Sequence, residues 1–170
     1  MSKTRTNVVI GRGSSQPLVC FVGEAPGYNE DRKGMPFVGQ AGEVLIAEIQ
    51  RIGLSYNDYY IANACKCRPI TDDLKNRKPS VAEIENCSSF LQRQVCLLRP
   101  RIIVLLGDSA KTAYSIAMKA VIFNGQVMNF IHPAHVLYRH KMYLVLKVQF
   151  DNLRDEVVRI NDRRKINGLY

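Results

Sequence analysis

Apolar residues in this chain fall into short blocks separated by stretches of helical period. Residues 18–22 are an apolar block of strand length. Residues 43–51 place Val44, Leu45, Ala47 and Ile49 on one inward face, and Gly53 stops that helix. Residues 59–64 read as a second strand. Ser80 opens a helix as a capping box with Glu83, and Ile84, Cys87, Leu91 and Val95 follow along its buried side. Pro100 separates that helix from residues 101–106, a continuous apolar strand of the kind found at a sheet centre. Gly107 and Asp108 begin another helix, running through Met118. Residues 120–131 read as a hairpin turning at Asn124-Gly125 in type I′ geometry. Residues 142–148 read as a late strand and 151–164 as a basic terminal helix. Strands separated by helices predict an α/β fold: three α/β/α layers around a mainly parallel sheet, in a single domain over residues 1–170.

Composition narrows the function. The longest apolar runs are strand-length, so no membrane span is expected. The N-terminus is polar with no secretory core, so the expectation is a cytoplasmic or nucleoid/nuclear protein, not a secreted one. Twenty-four Lys and Arg against fifteen Asp and Glu give a net charge of +9. A polyanionic partner accounts for that excess, since each phosphate contact releases counterions; a solvated surface is the plainer account. Cys20, Cys65, Cys67, Cys87 and Cys96 are five, an odd number that argues against a disulfide framework.

The densest signal is the run 23–42, Gly-Glu-Ala-Pro-Gly-Tyr-Asn-Glu-Asp-Arg-Lys-Gly-Met-Pro-Phe-Val-Gly-Gln-Ala-Gly. A glycine-rich stretch between a strand and a helix builds a loop over a ligand at the carboxyl edge of a sheet. Two further segments should meet it there: Asn63 with Lys66-Cys67-Arg68-Pro69, and His132-Pro133-Ala134. The loop holds neither a Gly-x-x-x-x-Gly-Lys-Ser/Thr nor a Gly-x-Gly-x-x-Gly phosphate motif, which argues against a nucleotide-binding module.

In this order, and with Lys3-Thr4-Arg5-Thr6 ahead and Glu83-Ile84-Glu85-Asn86-Cys87 between, these segments closely resemble the uracil-DNA glycosylase superfamily, specifically its family 4 type. The resemblance covers nearly the whole chain. It implies a monomeric enzyme that flips uracil out of DNA and hydrolyses its N-glycosidic bond, leaving an abasic site. It also leaves an alternative, a catalytically weak or inactive member that binds DNA in replication or serves as a protein partner. Glu24 and the Ala25 backbone would orient water or the cationic sugar, or Glu24 would merely bond loop amides. Phe37 would stack on uracil, or else anchor the loop in the core. Asn63 offers an amide donor and acceptor to the base's O4 and N3–H, or caps a turn. Glu30 would block the thymine methyl, and Asp31 would brace the loop or cap a helix. His132 would donate to uracil O2 as negative charge builds, or be structural. Val136, Leu137, Tyr138 and Arg139 resemble the intercalation loop, with Leu137 or Tyr138 as the wedge. Lys66, Arg68 and Arg139, with Arg32, Lys33, His140 and Lys141, are candidates for phosphate contact, whereas Arg163, Arg164 and Lys165 are expected to be solvated.

Members of this family hold a [4Fe-4S] cluster on four cysteines. Cys67 and Cys87 match two of the four, and no pair precedes them at Met1-Ser2-Lys3. Cys65 is the third possible ligand, Cys20 sits inside a strand, and Cys96 falls on the opposite helix face from Cys87. The expectation is therefore no cluster, with Cys67 and Cys87 as packed free thiols.

Overall fold

The computed structural model describes residues 4–166, with side chains as far as residue 163. Lys3 and the side chains of Arg164 and Lys165 lie outside the described residues. The elements in chain order are β1 (Arg12–Gly13), β2 (Val19–Gly23), α1 (Tyr28–Lys33), α2 (Gln40–Arg51), β3 (Tyr59–Asn63), α3 (Val81–Leu98), β4 (Ile102–Leu106), α4 (Asp108–Ala117), β5 (Gln126–Phe130), α5 (Ala134–Tyr138) and α6 (Lys141–Ile166). The sheet order is β1-β3-β2-β4-β5. Strands β2 to β5 run parallel, and β1 pairs antiparallel to β3.

The period of two along each strand sorts the core into two layers. Val19 and Phe21 of β2 and Ile102, Val104 and Leu106 of β4 point to one face, where Leu45 and Ile49 of α2 and Leu146, Phe150 and Leu153 of α6 cover them. Cys20, Val22, Ile103 and Leu105 point to the other, under Ile84, Leu91 and Val95 of α3 and Ala110 and Ala113 of α4. Both faces of β4 are buried and both its edges are paired, as a continuous apolar strand requires. The capping box forms as read: Glu83 N–H donates to Ser80 Oγ at 3.2 Å, and Ser80 N–H donates to Glu83 Oε2 at 2.8 Å. Ile84, Cys87, Leu91 and Val95 are the buried side of α3.

Two expected elements are corrected. Residues 120–131 are not a hairpin: they hold one strand, β5, which pairs parallel with β4. A type I′ turn needs positive φ at both central residues, and neither Asn124 nor Gly125 has it. Residues 142–148 are helical, not extended. Their β-branched and aromatic content suits a strand, but the buried positions Leu146, Phe150, Leu153 and Val157 recur at helical spacing. Phe150 packs its ring 6.0 Å from Phe21 and 5.3 Å from Phe130, so docking on the sheet overrides local propensity. Helices α1 and α5 and the short edge strand β1 were not anticipated. No helix among the described residues is long and apolar enough to cross a membrane.

The helical register of α6 has a direct test. Leu146 is fully buried while Val148, two residues on, is 58% exposed. Leu146→Ala should cost about 3 kcal/mol in urea denaturation, and Val148→Ala no more than about 0.5 kcal/mol. A strand would put both side chains on one face, and similar losses for the two would rule the helix out.

Candidate active site

The strand order turns back at β2, whose crossover leads one way to β3 while that of β4 leads the other way to β5. Ligands of open α/β sheets bind at the carboxyl ends of strands around such a reversal. A hollow of about 340 Å³ lies there, lined by Ala25, Glu30, Phe37, Asn63, His132, Leu137 and Tyr138 among others. Three separate loops, those after β2, β3 and β5, thus deliver these sequence-predicted residues to one place.

The loop after β2 is held by a carboxylate. Glu30 accepts from Gly27 N–H at 3.1 Å, Val38 N–H at 3.0 Å and Gly39 N–H at 2.9 Å. Asp31, buried beside it, accepts from the Thr6 and Asn7 backbone N–H groups at 2.9 and 3.2 Å and pins the N-terminal segment. Asp31 therefore braces the loop. Between these ties Phe37 is forced into the left-handed region, at φ 53°, where a bulky side chain is strained by on the order of 1–3 kcal/mol. Its carbonyl accepts from Arg12 Nη2 at 3.0 Å. Gly42 makes room for it: a Cβ there would stand 2.1 Å from Phe37 O. The strained backbone carries the Phe37 ring into the lining of the hollow.

Asn63 ends β3. It is 2% exposed, and its Oδ1 is buried with no hydrogen-bond partner. Such an acceptor is uncommon, because leaving it unpaired costs about 1–3 kcal/mol. Gly23 lets it sit there, since a Cβ at that position would meet Asn63 Oδ1 and Phe37 Cζ, each at 2.5 Å. Lys66 fixes the strand end from below. Its ammonium donates to Asn63 O and to Gln94 Oε1, each at 2.7 Å. Burial lowers the Lys66 pKa to about 8. Lys66 is 1% exposed, so the expectation that it meets phosphate is corrected: it is an internal brace.

His132 follows β5. Its ring lies 5.9 Å from that of Phe37, inclined by 26°. Ala134 N–H donates to Nδ1 at 3.2 Å, so the neutral imidazole carries its proton on Nε2. Burial, assisted by the neighbouring His135, lowers its pKa from 6.5 to about 4. At neutral pH His132 is an uncharged Nε2–H donor.

Glu24 is placed differently from Ala25. It lines an adjoining hollow of about 470 Å³ with Ser109, Lys78, Lys111 and His135, and His132 and Ala134 line both spaces. Ser109 Oγ donates to Glu24 Oε2 at 2.6 Å. Ser109, Lys78 and Lys111 escaped the sequence reading; only a hydroxyl in the first turn after Gly107 hinted at the first. Arg139, His140, Lys141, Arg32 and Lys33 are exposed as expected. Arg68 is half-buried, donating to Asn76 Oδ1 at 2.6 Å and Leu74 O at 3.0 Å and stacking over Tyr28 at 5.1 Å. Tyr28, half exposed, joins the hollow's lining. Val136 is buried against the core, so its expected place among the DNA-contacting residues is corrected, whereas the two wedge candidates, Leu137 and Tyr138, lie at the rim.

The cysteines near the strand ends divide between two contacts. Cys65 and Cys87 are free thiols in hydrogen-bond contact, the Cys65 S–H donating, which lowers the Cys87 pKa and raises that of Cys65. Cys67 Sγ instead accepts from Arg5 Nη1 at 3.1 Å. Among the described residues no three His, Cys, Asp or Glu side chains form a ligand group. A cluster held by four converging thiolates does not fit this donor set.

Sheet, switch point and pocket define an open α/β protein with an aromatic-walled, amide-edged site. The model of the Uracil DNA glycosylase superfamily matches residues 10–159. A type-4 uracil-DNA glycosylase of Archaeoglobus fulgidus is 39% identical over 84% of this chain and 78% of its own. One from Saccharolobus solfataricus is 38% identical over 90% and 77%. The solved structure of Pedobacter heparinus SMUG2 superposes with a TM-score of 0.62 at 14% identity, covering 86% of this chain and 77% of that one. The chain belongs to the uracil DNA glycosylase superfamily, among its type-4 members.

The protonation of His132 can be followed by NMR. The lowered pKa means that the unfolded chain binds its proton before the folded one does, so stability is lost as pH falls from 6.5 toward about 4. The His132 ring resonances should titrate near 4; a midpoint near 6.5 would make the neutral-donor assignment wrong.

Proposed function

We propose that this protein excises uracil from DNA, hydrolysing the N-glycosidic bond and leaving an abasic site for repair. It works as a monomeric single domain in the cytoplasm, nucleoid or nucleus. The observation that carries this reading is the buried, unpartnered Oδ1 of Asn63, a residue that lines one hollow together with Phe37 and the neutral His132. An acceptor without a donor in such a place calls for a ligand N–H. Uracil N3–H supplies it, while the amide's own N–H₂ meets O4; cytosine presents the reverse pattern at both atoms.

In the reaction, the C1′–N1 bond breaks with its electron pair passing to uracil. The charge spreads to O2, where His132 Nε2–H donates without surrendering its proton. Phe37 stacks on the ring, and the Glu30 brace keeps the wall beside C5 close. Water bonds through oxygen to C1′ and releases one proton, taken up by the Glu24 carboxylate and passed to solvent or to the departing uracil anion. Leu137 or Tyr138 fills the gap left in the stack, and exposed Arg139, Lys141, Lys78 and Lys111 bind flanking phosphates. The hydrogen bond that Cys67 Sγ accepts from Arg5 Nη1 supports a reading without an iron–sulfur cluster.

Uracil release from a uracil-containing oligonucleotide tests the activity. The parent should release uracil, His132→Ala and Asn63→Ala should each slow release about 100-fold, and Asn63→Asp should begin to release cytosine. No release by the parent would leave only a DNA-binding role. Cofactor content has its own measurement: anaerobically purified protein should be colourless and free of iron. A visible absorption band with stoichiometric iron would overturn that part.

A further inference from the structure

The reversal of strand order puts the ends of β2 and β4 side by side, and one short hydrogen bond spans the seam between them. Ser109, second residue of α4, donates to the carboxylate of Glu24, just past β2, at 2.6 Å across 85 residues of sequence. That is the length of a charge-assisted O–H···O⁻ bond. Glu24 stands in the hollow that meets the base-holding one at His132 and Ala134. With a pyrimidine in the first hollow, the bond to its sugar crosses that shared border, and Glu24 lies on the sugar side.

We infer that Ser109 is a positioning residue for the glycosidic step, acting through Glu24; this rests on the uracil-excision reading above. A free glutamate rotates about three side-chain bonds. The Ser109 hydroxyl occupies one oxygen of the carboxylate and fixes its plane, directing the other oxygen to the water that adds to C1′ and the charge that grows on the sugar. No proton moves through Ser109: its hydroxyl keeps its hydrogen while Glu24 receives the one released by water. Because α4 is anchored through buried Ala110 and Ala113, the donor is held by the core and not by a loop. The hydroxyl does not line the base-holding hollow, so base binding does not involve it.

Single-turnover excision on uracil-containing DNA, with affinity measured separately, tests the assignment. Ser109→Ala should slow the chemical step about ten- to hundredfold while DNA affinity stays unchanged. Ser109→Thr, which keeps the hydroxyl, should restore the rate, and Ser109→Val, of the same shape without it, should not. In a Glu24→Gln background Ser109→Ala should cost nothing further. A parental rate in Ser109→Val, an equal loss in Thr and Val variants, or a fully additive double variant would overturn the inference and leave the uracil reading intact. A parent that releases no uracil would overturn both.

Discussion

One carboxylate organises the ligand-facing side of this protein. Glu30 gathers three backbone N–H groups from two ends of the long loop after β2. Without a common acceptor those groups would face a partly buried space unpaired, and the loop would have no reason to close. Closed, it imposes a left-handed backbone on Phe37, and that strain persists only because Arg12, Gly42 and the Glu30 ties over-determine it. The ring's position is a result of backbone bonding some distance away from the ring itself.

Beside the Glu30 brace, the two polar side chains that Asn63 and His132 bring to the pocket are neutral. Burial keeps His132 uncharged, and a backbone N–H chooses which nitrogen carries the proton. The buried cation nearby, Lys66, is turned inward onto Asn63 O and Gln94 and leaves the pocket to the amide. A neutral donor opposite a growing negative charge needs no rearrangement of counter-charge as the reaction proceeds, which is the electrostatic form of preorganisation.

Much of this was legible in the residues. Apolar blocks, a capping box and a glycine-rich loop sufficed for the layered α/β fold, and the motif residues Phe37, Asn63 and His132 do share one hollow. The errors have physical causes. Residues 142–148 carry strand-like side chains, and only the continuation of the stripe through Phe150, Leu153 and Val157 reveals a helix. Asn124-Gly125 resembles a hairpin turn, but β5 finds a better partner in buried β4. Lys66 looked like a surface cation because sequence carries no sign of which way a lysine at a strand end turns. Ser109 and Glu24 are too far apart along the chain for any local pattern to join them.

The unpaired Oδ1 of Asn63 has a consequence for how this protein can evolve. An apolar side chain at that position would relieve the cost of the orphaned atom and harden the fold. With the base-reading role proposed for Asn63, selection for heat resistance and selection for discrimination between pyrimidines would pull on a single oxygen in opposite directions. A lineage that retains the amide would then keep a softer scaffold together with its selectivity.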